Sequence, residues 1–228
     1  MSVPINKRLL ACASLVRRGA TLADVGTDHG YLPIHLLLSG KITHAVLSDI
    51  NEGPLAKARE NVGLFGLSDK VELVLSDGAA DLFGRGITDL TIAGMGGELI
   101  ADIISRAEYL KEDGVRLILQ PMSRAEALRS YLWDSGFSIE REIYVTDEGK
   151  HYVCLLAQFT GEKTEYTGAD ALFGKAEHFA SPTDDMIAYM RGKRRSLLKI
   201  IEGKRLGGAD VSDEAELICE LDRRITKD

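Results

Sequence analysis

Apolar residues along this chain fall into two alternating rhythms, one with the period of a helix and one of short, nearly unbroken runs. Ile5, Leu9, Cys12, Ala13 and Val16 recur at the spacing of a single helical face, which predicts an opening helix over 5–16. Short apolar segments at Thr21–Val25, His44–Asp49, Val71–Ser76 and Asp89–Ala93 predict strands, with helices at Tyr31–Ser39, Gly53–Phe65 and Gly97–Ala107. Pro54 is tolerated in the second of these because first-turn amides have no helical partner in any case. Val115–Gln120 is almost continuously apolar, the mark of a strand covered on both faces. Ser123–Ser135 then predicts a helix opened by a Ser123–Glu126 capping box.

Beyond residue 136 the rhythm changes. Phe137–Thr146 and Lys150–Phe159 read as two strands joined through Asp147-Glu148-Gly149, a hairpin. Residues 160–170 are polar and rich in Gly and Thr, and predict a linker. Ser181-Pro182 with Asp184 and Asp185 marks a helix start, and Met186, Met190, Leu197, Ile200 and Ile201 form its stripe to about Arg205. Gly207-Gly208 ends it, and Ser212–Ile225 carries a second stripe of Leu217, Ile218, Leu221 and Ile225. Neither helix buries its stripe alone, so the two are expected to pair antiparallel against the preceding domain. The expected organisation is an α/β domain over 1–160 and a C-terminal helical, coiled-coil-like domain over 168–228.

Length and composition narrow the class. A chain of 228 residues that is 45% hydrophobic suffices for one α/β domain with a small appendage. No apolar run approaches the ~20 residues of a membrane span, and the basic N-terminus lacks the apolar core of an export signal. Cys12, Cys154 and Cys219 are odd in number and form no C-x-x-C, which predicts a reduced, cytoplasmic chain without disulfide or metal site. The formal charge of −7 argues against a polyanionic partner, but it is segregated. Residues 1–18 and 181–208 each carry +4, leaving −15 for the remainder. A local basic surface for nucleic acid survives the acidic total, although solvated helix faces would look the same.

The most informative segment is Ala23–Pro33, Ala-Asp-Val-Gly-Thr-Asp-His-Gly-Tyr-Leu-Pro, where the first strand gives way to a loop and a helix. Pyrophosphate-binding loops follow G-x-G-x-x-G, whose middle glycine admits the phosphates. Here Asp28 stands at that middle position, and its carboxylate would repel them. No G-x-x-x-x-G-K-[ST] occurs. The remaining acid-x-Gly-x-x-x-Gly pattern, Asp24 to Gly30, suits a loop around the amino-acid end of S-adenosylmethionine. The alternative is a plain βα turn in which Asp28 caps the helix. Five βα units followed by a hairpin favour the seven-stranded, Rossmann-like sheet of class I S-adenosylmethionine-dependent methyltransferases over a dehydrogenase.

Other strand ends carry matching chemistry. Asp49, 23 residues beyond Gly26 and followed by Ile50, is placed to accept bonds from ribose hydroxyls. Asp77-Gly78 is placed to reach an adenine amino group, with a simple turn as the alternative. Ile92–Gly97, Ile-Ala-Gly-Met-Gly-Gly, permits close backbone approach, so cofactor and acceptor should meet at Ala93, Gly94, Met95 and Gly96. It lacks the [Asp/Asn]-Pro-Pro-aromatic motif that aligns an exocyclic amine. A ring nitrogen such as adenine N1 already offers a lone pair and needs only positioning. Its methylation moves positive charge onto the base, so a nearby carboxylate, with Asp28 the candidate, favours the transition state. His29 is a candidate hydrogen-bonding partner and Tyr31 a stacking partner for the base, unless both merely pack locally. Gln120-Pro121 is expected to wall the acceptor pocket. The expected cofactor set is Asp24, Gly26, Thr27, Asp28, His29, Asp49, Ile50, Asp77, Gly78, Ala93, Gly94 and Met95.

Asp24–Pro33, Ile92–Gly97 and Leu117–Pro121 (Leu-Ile-Leu-Gln-Pro) closely resemble the bacterial tRNA (adenine-22-N1)-methyltransferases, the TrmK family. Asp49 with Gly53-Pro54, Asp77-Gly78 and the Gly149–Tyr152 turn extend the likeness over essentially the whole chain. The resemblance implies S-adenosylmethionine as methyl donor and N1 of adenine 22 in tRNA as acceptor. It implies that Gly26, Asp28, Asp49, Asp77 and Gly94 line the cofactor site, with His29, Tyr31 and Met95 facing the adenine. The basic face of the C-terminal helices, with Arg191, Lys193, Arg194 and Arg195, would hold the RNA. Three positions depart from the family pattern: Met122 where asparagine is common, Val153 where glutamate is frequent, and Gly30 where alanine is usual. No membrane contact or obligate protein partner is expected, and no interface stripe is left over, which predicts a monomer. The residues alone also allow a small-metabolite methyltransferase, a catalytically silent RNA-binding protein of this fold or, last, an NAD oxidoreductase.

Overall fold

The computed structural model describes residues 3–112, 114–179 and 181–225; the outermost ends of the two expected domain ranges, 1–2 and 226–228, lie outside the described residues. The first half alternates as foreseen through α1 (Lys7–Leu15), β1 (Thr21–Val25), α2 (Tyr31–Leu38), β2 (His44–Asp49), α3 (Glu52–Leu64) and β3 (Val71–Leu75). It continues with β4 (Asp89–Gly96), α4 (Gly97–Ser105), β5 (Arg116–Ser123), α5 (Ala125–Asp134) and the hairpin β6 (Phe137–Asp147) and β7 (Lys150–Phe159). Three helices close the chain: α6 (Gly168–Phe173), α7 (Asp184–Leu206) and α8 (Ser212–Ile225).

The seven strands form one sheet in the order β3-β2-β1-β4-β5-β7-β6. Strands β1 to β5 pair in parallel, and β7 lies antiparallel between β5 and β6. The chain steps outward from β1 to β3, then returns to lay β4 on the other side of β1. That reversal leaves the carboxyl ends of β1 and β4 adjacent with no crossover above them, the crevice in which open α/β sheets bind ligands.

Period-two alternation sends successive strand residues to opposite layers. Leu22 and Leu47 meet Cys12, Leu32, Ile34 and Ala58 from α1, α2 and α3. Ala23 and Val46 belong to the opposite core, with Ile100, Leu128 and Leu132 from α4 and α5. Phe173, Met190 and Leu221 from the three C-terminal helices join this second core. Among the described residues, no helix is long and apolar enough to cross a membrane.

Two local expectations are corrected. The Ser123–Glu126 capping box does not form, because Ser123 still pairs with Gly96 in the sheet and Arg124, with φ +55, precedes the helix. Helix α6 falls at the junction of the expected linker and the C-terminal segment, opened by a Thr167–Asp170 capping box; six residues are too few to show a period.

Helix α6 is clamped from both sides. Arg129 and Glu142 form a fully buried ion pair at 2.7 and 3.0 Å, and Arg129 Nη1 donates to the Ala171 carbonyl at 3.0 Å. Arg224 donates to Asp170 at 2.9 Å and to the Gly174 carbonyl. Removing one member of a buried pair strands the other without its counter-charge. Arg129→Met is therefore expected to lower unfolding free energy by about 3–5 kcal/mol in urea titrations. A loss below about 1 kcal/mol would mean that water reaches Glu142 in the native state.

Candidate functional site

The turn after β1 is held by its own backbone. Gly26 N–H and Thr27 N–H both donate to the Ser48 carbonyl, at 2.8 and 3.1 Å, and Gly30 N–H donates to Thr27 O at 2.8 Å. Asn61 Nδ2 donates to the His29 carbonyl at 2.9 Å and ties the loop to α3. Gly30, in the left-handed region, is the residue that caps α2, so Asp28 is released from the capping role and stands exposed at φ +42.

The strand ends surround a cavity of about 640 Å³. All twelve residues of the expected cofactor set line it, as do the catalytic candidates Asp28, His29 and Tyr31. Ser76, Leu99 and Ile103 complete the far wall. Asn6, Arg8 and Leu9 from α1 also line it. Sequence periodicity explains Leu9, but nothing in it aims Arg8 at a cavity formed by strands far along the chain.

Four carboxylates on the wall do different work. Asp24 is buried, and its two oxygens accept from Thr27 Oγ1 at 2.7 Å and Thr91 Oγ1 at 2.6 Å. Burial raises its carboxyl above the ordinary value, although the two hydroxyls pull the other way. It thus ties β1 to β4 and has no oxygen to spare for a ligand. Asp49 accepts Asn51 N–H at 2.9 Å through Oδ1 only; its second oxygen has no donor among the described residues. Asp77 receives Arg106 at 2.9 and 3.3 Å, and that hydrogen bonding and charge hold its carboxyl below the usual range. Asp28 Oδ2 lies 3.6 Å from His29 Nε2, and the His29 ring stacks on Tyr31 with centroids 5.1 Å apart and planes at 8°.

Two glycines leave bare backbone between these groups. A Cβ on Gly26 (φ +71) would fall 2.2 Å from Met95 Cε, and Gly94 (φ +87) sits where β4 breaks register with β5. The glycine at 26 thus makes room for the Met95 side chain, and the cavity offers an open carboxylate for hydroxyls and an excess of negative charge that suits a cationic centre and opposes a pyrophosphate.

Several expected contacts lie elsewhere. Gln120 and Pro121 are buried behind the cavity; Gln120 Oε1 accepts from Arg8 Nη1 at 2.5 Å and Gly94 N–H at 3.1 Å, and its Nε2 donates to Pro121 O at 2.9 Å. Its polar atoms are spent internally, so it cannot wall an acceptor pocket. Gly96 pairs with Ser123 outside the cavity lining. Lys193 bonds Glu126 at 3.3 Å and Arg194 bonds Asp222 at 2.8 Å, so both are committed within the fold. Arg191 and Arg195 are exposed with no ion pair among the described residues. Met122 is exposed and Val153 buried, both away from the cavity lining.

A family model described as a methyltransferase domain matches residues 5–155. The chain is 34% identical to the tRNA (adenine(22)-N(1))-methyltransferase of Bacillus subtilis, over 72% of this chain and 69% of that protein. A Streptococcus pneumoniae protein provisionally assigned as a tRNA (m1A22) methyltransferase, crystallised with S-adenosyl-L-methionine, superposes with a TM-score of 0.83 at 34% identity, covering 95% of this chain and 99% of that one. The B. subtilis m1A22 tRNA methyltransferase TrmK superposes with a TM-score of 0.79 at 28% identity, covering 98% and 97%.

Asp24 sets a pH test. Because its carboxyl is raised in the fold, the native state keeps a proton that the unfolded chain releases near 3.8. The stability of the native protein relative to Asp24→Asn is expected to be greatest below that value and to decline as pH rises through the folded value. Urea titrations of both proteins at a series of pH values measure the difference; a flat difference would mean that the Asp24 carboxyl is not perturbed.

Proposed function

The chain belongs to the family of bacterial tRNA (adenine(22)-N(1))-methyltransferases, and from that premise we propose how its own residues carry out the reaction. It is an S-adenosylmethionine-dependent enzyme that methylates N1 of adenine 22 in tRNA. When bound, S-adenosylmethionine supplies a methyl group on a positively charged sulfur, which the lone pair of adenine N1 accepts.

The residues divide the work by position along the sheet edge. The open oxygen of Asp49 receives the ribose hydroxyls, and Asp77 with Gly78 meets the adenine end of the cofactor. The bare backbone of Gly94 admits the amino-acid chain, and Gly26 lets Met95 pack against the first turn beside it. Asp28 stands at the mouth, where its charge stabilises the base as it becomes positive. The stacked His29–Tyr31 pair presents an aromatic edge to the acceptor adenine. No general base is required, because N1 carries no proton to lose. The single observation that carries this reading is the cavity wall itself, with its open Asp49 carboxylate, bare glycine turns and Asp28 where a phosphate loop would need glycine.

Adenine 22 has to leave its stack to enter the cavity, at a cost of a few kcal/mol (order of magnitude). Phosphate contacts from the exposed Arg191 and Arg195 offset that cost. Residues 168–228 act as the RNA-holding part and 1–160 as the catalytic part. The enzyme works as a monomer in the cytoplasm, with Met186, Met190, Leu197 and Ile201 of α7 and Leu221 of α8 buried within one chain, whereas Ile200, expected in the α7 stripe, is exposed because it faces away from the sheet-side core.

Incubation with unmodified tRNA and isotopically labelled donor, followed by mass-spectrometric mapping, is expected to place one methyl group on N1 of adenine 22. Label at another nucleotide, or only in small molecules, would overturn the reading. Charge reversal is the sound test of the helices, since deleting them would strip Phe173, Met190 and Leu221 from the core that they share with Leu128 and Tyr144. Arg191→Glu/Arg195→Glu is expected to weaken tRNA binding about 10-fold or more and to reduce the salt slope by roughly 2. Asp28→Asn should keep near-normal donor affinity by calorimetry while single-turnover methylation falls about 100-fold. Wild-type turnover in that variant would remove the electrostatic role from Asp28.

A further inference from the structure

Cys12 and Cys154 place their sulfurs 3.6 Å apart, in van der Waals contact, although 142 residues separate them along the chain. Cys12 lies on α1 and Cys154 on β7, and both are fully buried. The Cys154 thiol also donates to the Arg8 carbonyl at 3.8 Å, which leaves Cys12 as the donor to Cys154 Sγ. A single buried cysteine is simply a small apolar side chain. Two thiols in mutual contact, set in a layer of Leu22, Ile118 and Leu156, have a chemistry that none of these neighbours shares.

A disulfide holds its sulfurs about 2.05 Å apart, so closure by about 1.6 Å would join α1 to β7. While the helix is seated the pair keeps its protons. Contact with Cys154 and burial push the Cys12 thiol well above its ordinary value, and a protonated thiol does not attack an oxidant. Access therefore depends on α1. This helix has nine residues and exposes Lys7, Leu10 and Ser14 along its outer face, so a single short helix separates the sulfurs from water. Peripheral elements of this kind open locally at a lower free energy than the core. The same helix reaches the cofactor cavity, which Arg8 and Leu9 line one turn before Cys12.

Resting on the cofactor assignment above, we propose that Cys12 and Cys154 form an oxidative modification site, a dithiol that hydrogen peroxide converts to a disulfide, and that the seating of α1 couples this site to cofactor binding. With α1 lifted, one sulfur gives up its proton and attacks a peroxide oxygen. The O–O bond breaks, the sulfur becomes a sulfenic acid, and the other oxygen leaves as water. When α1 closes, the second thiol attacks that sulfur: the S–S bond forms, the S–O bond breaks and a second water leaves. The two thiols lose two electrons in all, and peroxide gains them. Cross-linking draws the turn that carries Arg8 and Leu9 toward β7, and the cavity wall moves with it. Reducing surroundings return the pair to thiols, as befits a regulatory rather than a structural disulfide.

Peptide mapping and calorimetry on the full chain test this without turnover. Cys219→Ser removes the exposed thiol, which would otherwise pair between molecules. In that background, peroxide followed by mapping without reductant should give a linked Cys12–Cys154 peptide pair that dithiothreitol resolves. S-adenosylmethionine at about 10 times its Kd should slow the linkage about 10-fold, because the opened helix lacks part of the ligand's site. The oxidised protein should bind S-adenosylmethionine about 10-fold more weakly, with recovery on reduction. Cys12→Val in the same background, treated alike, should form no link and keep the unoxidised affinity, which shows that it is folded and that methionine oxidation is not the cause. In the unsubstituted protein Cys219 serves as internal standard. Its oxidation while Cys12 and Cys154 stay free thiols would overturn the proposal. So would linkage that the ligand does not slow, or an equal loss of affinity in Cys12→Val. Failure of the reduced protein to bind S-adenosylmethionine would instead overturn the cofactor assignment and the coupling with it, whereas the linked pair is read without ligand.

Discussion

The side-by-side pairing of β1 and β4 governs the rest of this molecule. Leu22 to Val25 run in register with Asp89 to Ile92, yet the chain leaves the two strands in opposite lateral directions. No connection can cover a point from which the crossovers diverge. Backbone groups at the two strand ends are therefore left to loops, and the loops solve the problem with what lies nearby. Ser48 takes two amides of the first turn, and Gln120 takes the Gly94 amide where the β4–β5 ladder breaks. A cavity with an exposed polar rim is the outcome of that topology before any ligand is considered.

Within the cavity, environment separates residues of identical chemistry. Asp24 and Asp49 both end parallel strands. Burial and two threonine hydroxyls make the first a fastener between β1 and β4, while partial exposure leaves the second with an open oxygen. The concentration of carboxylates that favours a sulfonium would repel a polyanion such as tRNA. On the proposed function, segregation of charge resolves the conflict. The acidic surface surrounds the small ligand, and exposed Arg191 and Arg195 lie on a separate helix. On the proposed function, with the reactants held on different surfaces, methyl transfer would require those surfaces to keep a fixed relation. The buried Arg129–Glu142 pair and the Arg224–Asp170 pair clamp α6 between sheet and C-terminal helices.

Legibility followed the range of the interactions involved. Strands covered on both faces, such as Val115–Gln120, announce themselves by composition, and the stripe with the preceding Gly-Gly stop bounds α8 at Ser212–Ile225, where the structure has it. The apolar pattern ends β4 at Ala93, three residues short, because Gly94, Gly96 and Gly97 give no alternation to read although the strand persists to Gly96. The Ser123 cap failed for the opposite reason: the local motif was present, but pairing with Gly96 outcompeted it. Basic residues in Lys193-Arg194-Arg195 were indistinguishable along the chain, and only the facing carboxylates of Glu126 and Asp222 separate the committed ones from Arg195.

By itself the sequence determined the order of strands and helices, the unsuitability of the first turn for a pyrophosphate, and the acidic residues at successive strand ends. These depend on hydrophobic period, backbone conformation and side-chain charge, all local quantities. Tertiary structure decided which of those side chains remain free. It sealed Asp24 between two hydroxyls, buried Gln120 behind the wall and brought Arg8 from the first helix to the far strand ends, because burial and hydrogen-bond competition are settled only when segments distant in the chain come into contact.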